Sequence, residues 1–214
     1  MRNRPLVAAL VLLLLGTAGI LWLAFGVSAQ GVPRTLTETG SMMGGGMMGG
    51  GTQGGGGELS YAGLNALVLR GKKGAKIDPK ANTVSYNGSA VTLVALASPH
   101  GKPDMTWEID GLVNPTVTVR QGAKVDVILV NTDGDKVHGF ELTTTPPPYS
   151  NMVMMGINNG FFLMPLPPRT TRALASVRYY TEEGAFTAAS GSYYYLCQVP
   201  GHAAAGMFGR LVVK

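Results

Sequence analysis

The sequence predicts an all-β sandwich or barrel that opens with one short helix and is preceded by an apolar segment and a glycine-rich linker. Three observations lead there. Short apolar runs fill the chain beyond Thr83, with Gly, Pro, Asn and Asp between them. Helical periodicity is confined to one stretch near the start of the domain. Everything before Glu58 is either uniformly apolar or dominated by glycine.

The first segment, 1–29, reads as a transmembrane anchor, with a cleaved signal peptide as the alternative. From Leu6 to Gly26 there is no charge, and about 21 residues at about 1.5 Å each span roughly 31 Å, one bilayer core. Arg2 and Arg4 flank only the N-terminal side, which orients the rest of the chain outward. Val27-Ser28-Ala29 also suits a signal-peptide cleavage site. Both readings place the domain outside the cytoplasm, in the periplasm or on the outer face of the membrane. Residues 30–57 read as a flexible tether carrying the tandem repeat Met42-Met43-Gly44-Gly45-Gly46 and Met47-Met48-Gly49-Gly50-Gly51.

Residues 58–214 form the folded domain. Leu59 to Leu69, with Leu64, Leu67 and Val68 on one side and Gly71 beyond, predicts the helix. Strands are expected at Thr83–Tyr86, Ala90–Ala97, Thr106–Ile109, Thr116–Arg120, Lys124–Val130, Gly139–Thr143, Ala173–Tyr179, Ser192–Gln198 and Met207–Val213. The stretch from Thr145 to Pro168 reads as long loops, of the kind that cover something.

The chain has 214 residues and a formal charge of +5. From Glu58 on it carries 14 basic and 11 acidic residues, clustered only at Arg70, Lys72, Lys73, Lys76 and Lys80. Nucleic acid wants a denser basic face than this helix end and turn supply. The chain's one Cys excludes an internal disulfide, so an exported thiol is either tolerated or used.

That Cys carries the chemistry. In SYYYLCQVPGHAAAGMFGRLVVK, one strand delivers Cys197, Pro200-Gly201 reverses the chain, His202 follows, and Met207 opens the last strand. Cys-x4-His-x4-Met on one loop supplies a thiolate, an imidazole and a thioether. A type 1 copper site needs those three and a second imidazole. Of the other two histidines, His138 stands at the start of an expected strand, whereas His100 lies in the turn Ser98–Gly101 and is assigned no role. The predicted metal ligands are therefore His138, Cys197, His202 and Met207. A lone Cys, Met or His is ordinarily a core or satisfied polar residue; the order and spacing of these four argue for metal.

Zinc is disfavoured because a thioether is a poor zinc ligand. A Cys-His hydrolase leaves Met207 without a role and shows no orienting partner. A binuclear copper domain needs two cysteines, and catalytic copper centres need more histidines than remain. The expectation is a non-enzyme with one copper that cycles between Cu(I) and Cu(II) and takes no small-molecule substrate. The alternative is copper storage or delivery, with the Met repeat as a loading arm.

At these residues the domain resembles the rusticyanin-like blue copper proteins of the cupredoxin superfamily. The likeness runs from about Thr83 to Lys214 and is densest in NPTVTVRQGAKVDVILVNT, in TPPPY and from Gly191 to the end. His202 five residues after Cys197, and Met207 five after His202, match this group and not plastocyanins or azurins. The resemblance implies a cupredoxin-like Greek-key sandwich of two sheets. It implies copper on the four residues named, and single-electron transfer between a cytochrome or other redox protein as donor and another as acceptor in a respiratory chain. It also implies an apolar collar, matched here by Phe140, Phe161, Phe162, Met164, Pro165 and Phe208. Two positions depart from the family: Gly139 replaces a Ser directly after the first His, and Asp133 replaces an Asn five residues before it.

Overall fold

The structure is a computed structural model and describes residues 49–53, 56–156 and 159–214. The apolar segment at 6–26 and the methionines of the tandem repeat lie outside them. No described helix is long and apolar enough to cross a membrane.

The described chain is a sandwich of two seven-stranded sheets. The first holds β1 (Gly49–Gln53), β12 (Tyr179–Thr187), β9 (Lys124–Asn131), β5 (Ala90–Ala97), β6 (Trp107–Ile109) and β7 (Leu112–Val113) in that order, with β2 (Gly57–Leu59) also on β12. The second runs β11 (Asn159–Leu166), β10 (His138–Thr143), β13 (Gly191–Leu196), β14 (Phe208–Val213), β8 (Thr116–Val119), β4 (Thr83–Tyr86) and β3 (Ala75–Asp78). Parallel pairing of β5 with β9, and of β8 with both β4 and β14, marks the crossovers between sheets. Side chains from the two inner faces, among them Leu93, Trp107, Val127, Phe140 and Tyr195, form the main core.

The helix α1 (Tyr61–Gly71) covers the outer face of the first sheet. Leu64 and Leu67 pack on Val94, Leu96, Ile128 and Val130. This explains why β5 and β9 are buried on both faces toward their ends, rather than alternating throughout. Ser60 caps the helix by accepting from the Gly63 N–H at 3.2 Å. Gly71, its last residue, lets the helix lie close on the sheet: a Cβ there would stand 2.8 Å from Val94 Cγ2.

Expected and observed strands agree closely at β4, β5, β6, β8, β9, β10, β13 and β14. The short strands β3 and β7 are not among those expected, and three further regions differ. The strand expected at Ala173–Tyr179 is a turn, and the strand is Tyr179–Thr187. Glu182-Glu183-Gly184 looks like a break, but Glu183 points outward and Gly184 sits beneath Leu163 and Phe161, where a Cβ would meet Leu163 at 2.8 Å. The stretch read as loop up to Pro168 contains β11, whose edge position tolerates Pro165. At the end of the glycine-rich stretch, β1 and β2 pair with β12 through their backbones, which asks nothing of their side chains.

Candidate metal centre

The loop joining β13 to β14 is closed by its own backbone. The Cys197 N–H donates to the Met207 carbonyl at 3.1 Å, and the Met207 N–H donates to the His202 carbonyl at 3.0 Å. The Leu196–Phe208 pair of the ladder precedes this closure, so Cys197 and Met207 face each other across the strands. Both belong to the inter-sheet core and both are fully buried. Gly201 and Gly206 take left-handed conformations, φ 85° and 107°, that let the chain turn twice in so short a span.

His138 arrives from the first residue of β10. Strand pairing of Glu141 with Leu196 sets β10 beside β13, so that His138 reaches the same end of the sandwich as the loop. The three donor atoms converge. His202 Nδ1 lies 3.3 Å from Cys197 Sγ, His138 Nδ1 lies 3.8 Å from it, and the two Nδ1 atoms are 3.2 Å apart. His138, Cys197 and His202 together are a cluster able to hold a metal ion. His138 and Cys197 are 0% exposed and His202 8%.

Asp133 orients the first imidazole. Its Oδ2 stands 2.8 Å from His138 Nε2. Burial opposes the charge on Asp133, yet hydrogen bonds from Asp135 and His138 outweigh it and hold the carboxyl well below the usual range. An ionised Asp133 only accepts, so Nε2 carries the proton and Nδ1 turns its lone pair to the site. Burial holds His138 below its ordinary pKa against the pull of Asp133, and lowers His202, with His138 adding to that effect. Both shifts favour the neutral ring, the form a ligand needs. Burial pushes the Cys197 thiol up to about 11, against the Gly139 and Val199 backbone N–H groups. The thiol's proton must leave when metal binds.

Neutral imidazoles, a buried sulfur and an apolar surround fit one copper of type 1, the donor set of a blue centre. His100 stands in an exposed turn and is not part of the cluster.

Residues that the motif does not reveal clamp the loop. The buried Trp107 donates from Nε1 to the Met207 carbonyl at 3.3 Å. Asn114 accepts from the Trp107 N–H at 2.8 Å and donates to the Gly206 carbonyl at 3.1 Å. The Tyr195 hydroxyl donates to the Pro115 carbonyl at 2.6 Å. Asn114-Pro115 opens a stretch that carries the resemblance, but no role at the site is expected of it from the sequence. The expected collar is split by the alternation of β11: Phe161 joins the core beside Phe140, whereas Phe162 and Met164 face solvent, 47% and 54% exposed. Pro165 is exposed too, and Phe208 packs on the outer face of the second sheet. Gly139 abuts Gln198, where an added Cβ would lie 2.5 Å from Nε2. A side chain here would require the Gln198 amide to move.

No family model matches the chain. It is similar to rusticyanin of Acidithiobacillus ferrooxidans, 38% identical over 134 residues that cover 62% of this chain and 68% of that one. It is similar also to rusticyanin of Acidithiobacillus ferridurans, 37% identical over the same coverage. Among solved structures, reduced rusticyanin superposes with a TM-score of 0.63 and 30% identity over 75% of this chain and all of that one. Rusticyanin from Thiobacillus ferrooxidans gives 0.63 and 31% over 75% and 97%. Shared sequence, shared sandwich and the buried cluster of two histidines and a cysteine agree, and the chain belongs to the rusticyanin family of blue copper proteins.

Proposed function

We propose that this chain carries single electrons between respiratory proteins outside the cytoplasm, using one type 1 copper held by His138, Cys197 and His202 with Met207 as its axial contact. The observation that carries the reading is the convergence of two Nδ1 atoms and one Sγ in a buried pocket whose first imidazole is fixed from behind by Asp133. Bound copper supplies a one-electron Cu(I)/Cu(II) couple. The protein's part is to keep the donors in one geometry for both states, which the backbone closure of the loop and the Trp107 and Asn114 clamps favour.

His202 is the ligand nearest the surface, so its imidazole edge is the port through which partners exchange electrons. These partners are a cytochrome or other redox protein on each side. The reading is of a carrier, not an enzyme, with no small-molecule substrate. Its place outside the cytoplasm, held by the apolar segment at 6–26, is supported by Arg2 and Arg4 on one flank only.

A visible spectrum with a redox titration tests it. The copper-loaded chain should be intensely blue and reversibly bleached by one electron. Cys197→Ser should abolish the colour, because the thiolate-to-copper charge transfer is lost. A Cys197→Ser chain that stays blue would overturn the ligand assignment.

A further inference from the structure

Methionine is ordinarily a core residue, and one turn of this protein breaks the habit. A 3-10 turn, η1 (Val153–Met155), follows Met152. Met152, Met154 and Met155 are 54%, 46% and 83% exposed, while Val153 between them is buried. Val153 packs with Leu196 and Ala203, the residues directly before Cys197 and directly after His202. The Gly201 N–H also donates to the Asn151 carbonyl at 2.8 Å. The turn is thus fastened to the ligand loop from both its buried side and its entrance.

Three thioethers within four residues face solvent at that end of the molecule. The Met155 N–H donates to the Met152 carbonyl at 3.1 Å, and side chains three apart in a 3-10 turn stand one over the other. Met154 adjoins them, and each side chain has three rotatable bonds with which to converge. The run from Asn151 to Gly156 contains no acidic, His or Cys donor, so it offers nothing to a hard cation. Neutral, soft sulfur selects Cu(I).

We propose that Met152, Met154 and Met155 form a surface Cu(I) site that receives copper and hands it to the buried centre beside it. This rests on the copper-carrier reading. The transfer needs no redox partner: the ion stays Cu(I), the thioethers leave as neutral donors, and the Cys197 sulfur exchanges its proton for the metal, the proton passing to solvent.

The test uses the full-length chain with Cys197→Ser to disable the buried centre. Met42, Met43, Met47 and Met48 are also changed to Leu to silence the N-terminal repeat. Both this parent and a version with Met152→Leu, Met154→Leu and Met155→Leu are titrated anaerobically with Cu(I) held by bicinchoninate. The Leu changes conserve volume and apolarity, and circular dichroism should be unaltered. The expected result is the loss of one Cu(I) equivalent on adding the three turn substitutions. Equal uptake by the two chains overturns the proposal and leaves the turn as an apolar contact surface. With Cys197 restored, the turn variant should fill the centre more slowly from Cu(I)-bicinchoninate and reach the same absorbance after oxidation. A restored chain that never turns blue would sink the carrier reading instead, while the equivalents bound by the methionines are counted independently of it.

Discussion

At Met207 two roles meet in one residue. Its backbone closes the ligand loop through Cys197 and Trp107, so its structural part does not depend on its side chain. Under the proposed reading its thioether would be a weak donor to the copper, and a soft donor in an apolar shell favours the less charged Cu(I). Met207→Leu should therefore stay blue with an equal or higher potential, and Met207→Gln, a harder oxygen donor, should lower it. Tenfold in the one-electron equilibrium is about 59 mV, and shifts of roughly one to three such steps are expected. Voltammetry of both variants decides it; copper loss from Met207→Leu, or shifts of the opposite sign, would move the fourth ligand elsewhere. Asp133 acts differently, touching only the back of His138, and its effect is on ring orientation and local charge.

Among the elements, β10 carries the least expected feature. Its inner face delivers His138, Phe140 and Leu142. Its outer face buries Glu141 between Phe162 of β11 and Leu196 of β13. Among the described residues, neither Glu141 oxygen has a hydrogen-bond partner, nor has Oε1 of Gln198 on the same face, although Gln198 Nε2 donates to the Leu163 carbonyl at 2.8 Å. Burial pushes the Glu141 carboxyl from 4.5 up to about 7. The folded state therefore holds this proton more tightly than the unfolded chain does. Its contribution is complete below about pH 4.5, is lost as pH rises through about 7, and stays lost above that. At about 1.4 kcal/mol per pH unit the loss is on the order of 3 kcal/mol. Glu141→Gln should remove the decline, so that urea midpoints of the two chains diverge across this window with the variant more stable above it. Parallel midpoints from acid to neutral pH would show that Glu141 does not titrate there.

For the whole molecule, the relation of domain to membrane rests on the segment ahead of the sandwich. An uncharged run long enough for a bilayer, with arginines on one side only, predicts an uncleaved anchor. Intact mass of the protein from washed membranes should include residues 1–29. A soluble form beginning near Gln30 would identify the segment as a signal peptide instead.

Much of the site follows from the order of residues because Cys197, His202 and Met207 share one loop, and with three histidines in the chain elimination nearly suffices for His138. Strands that alternate in burial, such as Thr83–Tyr86 and Thr116–Val119, are equally legible. Tertiary structure alone decides the rest, since the cause lies in contacts between segments distant in sequence. Glu182-Glu183-Gly184 is strand because Leu163 and Phe161 occupy the space over Gly184. The Pro165 region is strand because it lies at a sheet edge. Trp107 serves the site from the opposite sheet and Asn114 from the bend between β7 and β8, 100 and 92 residues from the loop carbonyls they hold. The cluster of His138, Cys197 and His202 was readable from donor chemistry and spacing; its clamp was not, because hydrogen bonds between distant segments leave no periodicity in the chain that makes them.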